Sequence, residues 1–190
     1  MESRTLLFDR GGEHNTDATL EIVKQRALAL GIQQVVVASS HGRTARRAQA
    51  LLAPLGIQTI AVSICHSWER EGWVMTPEEK ADLVALGIIV HTGVHALGDS
   101  VNSAFTGAHG GRTPDEVVRD TLYRFSQGMK VAVECILMAA DAGYLDMHRE
   151  VIAVGGTSSG ADTAIVCKPA YPRTFLDLEV REILAEPRIP

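Results

Sequence analysis

Val35-Val36-Val37-Ala38 is apolar without alternation, the pattern of a strand covered on both faces in a parallel sheet. Comparable short runs at residues 5–8, 59–63, 88–90, 151–154 and 164–166 predict further strands. Between them the spacing changes to three and four. Leu20, Val23, Ala27 and Leu30 share one helical face, opened by the Asn15-Thr16-Asp17 cap and closed by Gly31. Residues 44–55 resume that spacing before Gly56. Thr76-Pro77-Glu78-Glu79 and Thr113-Pro114-Asp115-Glu116 each place a cap, a first-turn proline and an N3 glutamate, so two more helices begin there. The first of these stops at Gly87. Residues 129–142 are apolar nearly all round, which predicts a helix packed on both sides and ended by Gly143. Glu134 is its anomaly: it faces a ligand as acid or base, or it pairs with Lys130 one turn back, the reading the spacing favours. Residues 64–75 read as irregular, residues 92–111 as loop with a short helix, and residues 178–184 as an element of open type. Alternating strands and helices predict a three-layer α/β/α fold around a mainly parallel sheet, with ligands beyond the strand carboxyl ends.

Composition narrows the picture. At 190 residues and 46% hydrophobic, the chain suits one domain spanning 1–190, whose core needs neither metal nor disulfides. A formal charge of −5 opposes nucleic-acid binding, and only 5% of the residues are aromatic, too few for a base-stacking surface. Cys65, Cys135 and Cys167 are odd in number and form no CxxC pair, so they read as reduced thiols of a cytoplasmic protein. Residues 1–10 mix charges into their apolar positions and predict no signal peptide. Residues 129–142 carry Lys130, Glu134 and Asp141 and are too short to span a bilayer.

Candidate chemistry lies in the loops. Ser39-Ser40-His41-Gly42-Arg43-Thr44-Ala45 joins a strand to a helix start, a geometry whose free N–H groups and positive helix end attract anions. Ser39, Ser40 and Thr44 supply hydroxyls, Gly42 permits close approach, Arg43 offers a forked contact to phosphate, and Arg46 and Arg47 raise the local potential. An ordinary capped loop with solvated arginines fits the same residues. Gly155-Gly156-Thr157-Ser158-Ser159-Gly160-Ala161-Asp162-Thr163 also offers hydroxyls and backbone, with Thr157 and Thr163 as candidates, although a plain inter-strand turn explains it more readily. Gly11-Gly12-Glu13-His14-Asn15-Thr16 is a third such loop, in which Asn15 and Thr16 cap or bind. Loops after neighbouring parallel strands converge on one edge, so the three can share a pocket. No metal is expected: His91 and His95 are four apart, but Thr92-Gly93 after a strand does not hold them on a helix face. Cys65 beside His66 lacks a third, orienting group for thiolate chemistry.

These segments together resemble the stand-alone proteins similar to the C-terminal domain of pyruvate kinase. The resemblance covers nearly the whole chain. It rests on Glu13-Asn15-Thr16, on Val36-Val37-Ala38-Ser39-Ser40 with Gly42 and Thr44-Ala45, and on Gly128 and Lys130-Val131 leading to Met138-Ala139-Ala140-Asp141-Ala142-Gly143. Glu150-Val151-Ile152-Ala153-Val154-Gly155-Gly156-Thr157, Gly160-Ala161-Asp162-Thr163-Ala164, Pro169-Ala170, Glu182-Ile183 and Pro187-Arg188 continue it. It implies a mixed sheet with one antiparallel strand, and a loop like Ser39 to Thr44 that in pyruvate kinase holds a phosphate of the sugar bisphosphate effector. Stand-alone members look like FMN binders. By that similarity Ser39, Ser40, Gly42, Arg43 and Thr44, within a loop that also contains His41 and Ala45, hold the FMN phosphate, with Asn15, Thr16, Thr157 and Thr163 nearby. His95-Ala96-Leu97 matches the family, whereas Cys65-His66-Ser67-Trp68 and Val101-Asn102 depart from it.

The leading expectation is therefore a soluble, homo-oligomeric protein of the cytoplasm that binds FMN or a similar phosphorylated small molecule. Two alternatives stand beside it. A flavin-dependent oxidoreductase needs the isoalloxazine ring beside a substrate, with Trp68, Trp73 and His66 as flanking groups. A sugar-phosphate-sensing module needs only the phosphate loops. Pyruvate kinase activity itself has no barrel domain to support it.

Overall fold

Val35, Val36 and Val37 are fully buried, because their strand lies in the interior of the sheet, and that position decides the rest of the architecture. In the computed structural model, which describes residues 4–189, β2 (Gln34–Ala38) pairs in parallel with β3 (Gln58–Ser63) on one side and β5 (Val151–Gly155) on the other. With β1 (Leu6–Phe8), β4 (Ile89–Thr92), β6 (Thr163–Lys168) and β7 (Glu179–Pro187), the sheet has seven strands in the order β1-β7-β6-β5-β2-β3-β4. Only β6 runs against its neighbours, so the sheet is mixed and mainly parallel. The start of the reading of residues 1–10, residues 1–3, lies outside the described residues.

Helices cover both faces. Val35 and Val37 point to one, where they meet Leu20, Val23 and Ala27 of α1 (Thr16–Leu30) and Ala48 and Leu52 of α2 (Arg43–Leu52). Leu83 of α3 (Pro77–Ala85) extends that layer over Ala61 and Val90. Val36 points the other way, with Ile60, Ala153 and Ile165, onto α6 (Gln127–Asp141). Two more helices, α4 (Val101–His109) and α5 (Pro114–Leu122), precede α6, and α5 packs on its outer side. The predicted three layers are thus present, with α6 sandwiched as its all-round apolarity requires. No helix among the described residues is long and apolar enough to cross a membrane.

Local signals held where they rest on backbone chemistry. At α3 the Thr76 hydroxyl accepts from Glu79 N at 3.2 Å while the Glu79 carboxylate accepts from Thr76 N at 2.9 Å, a complete capping box. Three expectations need correction. Asn15 precedes α1 but does not cap it; its side-chain amide donates to Arg10 O at 2.7 Å, which ties down the loop before it. The helix expected over 44–55 ends at Leu52 and tightens into a 3₁₀ turn at Ala53–Leu55, where Pro54 has no N–H to continue the ladder. The strand expected at 88–90 is Ile89–Thr92, so His91 belongs to β4. The open element near 178–184 is β7, which joins β6 to β1; its exposed first half hid the strand period.

Glu134 resolves as an ion pair. Its Oε2 lies 2.5 Å from Lys130 Nζ, with both residues buried, and its Oε1 accepts the Leu97 N–H at 2.9 Å. Removing one member strands the other charge in the interior, so Glu134→Ala is expected to lower unfolding free energy by about 3–5 kcal/mol in urea titrations. The double change Lys130→Met with Glu134→Leu should recover most of that loss, leaving the unpaired Leu97 N–H.

Candidate functional site

β2 and β5 are neighbours, but the chain leaves their carboxyl ends in opposite directions, to β3 through α2 and to β6 through a loop. Such a divergence opens a crevice at the sheet edge. Residues 39–42 enter it from β2, residues 156–162 from β5, and residues 9–15, which precede α1, close it from the side.

Asp162 organises the three. Fully buried, it accepts at Oδ2 from Gly12 N at 2.8 Å and Thr157 N at 2.9 Å, and at Oδ1 from the Thr163 hydroxyl at 2.8 Å. Because Thr163 spends its proton on Asp162, the Ser126 hydroxyl 3.1 Å away donates to Thr163 and in turn accepts Met129 N at 2.9 Å, which caps α6. The α6 N-terminus, the β5–β6 loop and the loop after β1 are therefore one hydrogen-bonded unit. Packing there is close: a Cβ on Gly128 would stand 2.2 Å from Thr163 Oγ1. Thr16 closes the same unit, donating to Glu13 O at 2.6 Å and accepting Ala161 N at 2.9 Å.

Across the crevice, Gly42 stands at the N-cap of α2 with φ +81°, and Leu83 packs where its side chain would be. The buried Ser39 accepts Ala45 N at 3.2 Å, so one orphan amide of the first turn is satisfied from within. The amides of Arg43 and Thr44 precede any intrahelical acceptor and keep the positive end of the helix open. Arg43 Nη1 lies 3.2 Å from Glu13 Oε1, and the Ser159 hydroxyl donates to Glu13 Oε2 at 3.2 Å. A carboxylate of the protein thus stands against the groups expected to receive an anion. Thr157 Oγ1 is buried with no hydrogen-bond partner among the described residues.

The sequence-predicted residues separate into two sets. Ser39, Ser40, Gly42, Arg43 and Thr44 form the β2 side of the crevice, whereas Ala45 is fully buried against Ala61, Met75 and Leu83 and the buried Thr157 Oγ1 faces Gly11. Asn15, Thr16 and Thr163 use their polar groups inside the protein and position its walls. His41 turns away, with Nδ1 3.0 Å from Glu79 Oε2 and Nε2 3.1 Å from Gly72 O. The Thr76 N–H, and after it His41, hold the Glu79 carboxyl below its ordinary range. Arg46 and Arg47 are drawn to Asp82 and Asp17, so Arg43 is the arginine of α2 that bears on the crevice. Trp68 and Trp73 stack on each other, centroids 5.1 Å apart, rather than forming an open slot for a ring. Glu13 and Asp162 entered the sequence reading only as residues that carry the resemblance, with no role assigned, although an acid inside a Gly/Ser loop that must be paired or capped was available as a cue.

No protein-family model matches the sequence. Among solved structures the chain is similar to a pyruvate kinase from Cryptosporidium parvum, with a TM-score of 0.40 and 12% identity over 80% of this chain and 22% of that one. The chain spans about a fifth of that enzyme's length.

Asp162→Ala removes the shared acceptor of two amides and a hydroxyl. A stability loss of about 3 kcal/mol or more is expected in urea unfolding, with Asp162→Asn retaining part of it. Equal stability of Asp162→Ala and the parent would show that the loops are held by other means.

Proposed function

We propose that the protein binds a phosphorylated small molecule, FMN foremost, in the crevice at the carboxyl ends of β2 and β5. The observation that carries this reading is the pairing of Arg43 and Ser159 with the Glu13 carboxylate beside the open N-terminus of α2. Three kinds of anion donor converge there: helix amides, a guanidinium and a hydroxyl. A bound phosphate would take these donors in place of Glu13. Ser40 and Thr44 would complete its shell, while Asn15, Thr16 and Thr163 would act through the backbone they hold. A flavin bound in this way is gripped by its phosphate end, since the two tryptophans are occupied with each other. Binding is thereby supported more directly than flavin redox chemistry.

Purification under mild conditions, followed by visible absorbance and mass spectrometry of what heat releases, identifies the ligand. Flavin near one per chain is the expected result. A colourless protein that releases a sugar phosphate would keep the phosphate crevice and discard FMN, and a protein that releases no phosphorylated compound and takes up no added FMN would discard both. Arg43→Ala with Thr44→Ala should weaken FMN binding by about tenfold or more, roughly 1.4 kcal/mol. Glu13→Gln should strengthen it, because it removes a competing negative charge. Unchanged affinity in both variants would place the phosphate elsewhere.

A further inference from the structure

The carboxyl ends of β3 and β4 build a second group of reactive side chains. The two strands pair in parallel with Ser63 opposite Thr92, so the chain leaving β3 at Cys65 and the chain leaving β4 at His95 emerge side by side although thirty residues separate them. The Cys65 N–H reaches His95 Nε2 at 3.4 Å. On its other side the ring is fixed: Nδ1 lies 2.7 Å from Asp99 Oδ2, and the same oxygen accepts Trp68 Nε1 at 2.9 Å. Asp99 adopts a left-handed backbone, φ 54°, which turns it back toward the histidine four residues earlier.

The hydrogen bonds assign the protons. A carboxylate oxygen that already receives the indole N–H can only accept, so the His95 proton sits on Nδ1, and the Nε2 lone pair accepts the Cys65 N–H. The Cys65 sulfur, a His95 ring nitrogen and an Asp99 carboxylate oxygen lie within 4.8 Å of one another. Sulfur also lies 2.8 Å from the Ser67 hydroxyl. Among the described residues the other two thiols belong to no such cluster. Burial pushes the Cys135 thiol far up and the Cys167 thiol up to about 12, so both are poor nucleophiles. His95, though not the buried Cys65, also borders a cavity of about 640 Å³, shared with His91, Ala96, Met138, Asp141 and Pro172.

We propose that Cys65 is a nucleophilic thiol, with His95 as its base and Asp99 as the positioning residue that fixes the imidazole, and that it takes a small electrophilic carbonyl compound. The Cys65 N–H releases His95 Nε2, the Sγ–H bond breaks and its proton passes to that nitrogen. The sulfur lone pair forms an S–C bond to the carbonyl carbon, and the π pair moves to oxygen. That oxygen then takes the proton back from Nε2, giving a hemithioacetal with no net oxidation and no leaving group. Asp99 neutralises the imidazolium formed between the two transfers. The constellation needs neither phosphate nor flavin, so it stands independently of the ligand crevice beside β2.

Iodoacetamide reports the same thiol, since the proton goes to His95, an S–C bond forms and iodide leaves with the C–I pair. Limited alkylation of the full chain followed by peptide mass mapping should label Cys65 at least about tenfold faster than Cys135 and Cys167. His95→Ala should slow that labelling by about a hundredfold, the scale of a general base, and added imidazole should restore part of the rate, which a purely structural histidine would not allow. Asp99→Asn, nearly isosteric, should slow it as well, with Asp99→Glu recovering activity. Preincubation with a small aldehyde should protect Cys65. Labelling of all three cysteines at one common rate, or a Cys65 rate indifferent to His95→Ala and Asp99→Asn, would overturn the nucleophile. Absence of aldehyde protection would overturn the carbonyl class.

Discussion

The Asp162 carboxylate is the interaction on which the rest of the crevice depends. A buried charge is tolerable only when donors surround it, and here the donors come from three separate segments: Gly12 after β1, Thr157 after β5, and Thr163 at the start of β6. Through Thr163 and Ser126 the same network reaches the cap of α6. Loops that carry many glycines and hydroxyls would otherwise sample many conformations. One acid, satisfied on both oxygens, makes them a shaped wall, and the glycines that surround it are needed because there is no room for side chains between these backbones.

Electrostatics then divide the edge of the sheet into two kinds of site. Around β2 and β5 the unsatisfied groups are donors, and the nearest carboxylate, on Glu13, is drawn to Arg43 and Ser159. A self-supplied anion of this kind neutralises the cationic loop from within the chain. Around β3 and β4 the groups are instead a thiol, an imidazole and a carboxylate drawn together, the imidazole bonded to the carboxylate and to the Cys65 backbone N–H. The two regions are joined by the segment after β3, where Gly72 O meets His41 and Trp73 stacks on the Trp68 that holds Asp99. Both groups of side chains thus lie on one rim of the sheet.

Much of the fold was legible because it rests on local chemistry. The unbroken apolarity of Val35 to Val37, the capping box at Thr76 and Glu79, and the all-round apolar surface of α6 each translate directly into a buried strand, a helix start and a sandwiched helix. The Lys130–Glu134 pair was legible too, since four residues on a helix are one turn. What stayed hidden depends on partners far away in the chain. Asp162 looks like a turn residue until Gly12, one hundred and fifty residues earlier, is brought to it. Asn15 looks like a cap until Arg10 O claims its amide. Cys65 has His66 beside it in sequence, whereas strand pairing brings His95 and Asp99 to it in space.

The central claim is that a phosphorylated ligand seats between the N-terminus of α2 and the loop after β5. Amide chemical shifts of the full chain during an FMN titration test it most directly. Saturable shifts centred on Ser40 to Thr44 and on Thr157, absent when riboflavin replaces FMN, are the predicted result. Shifts of equal size with riboflavin, or shifts confined to the cavity beside His91 and His95, would contradict it.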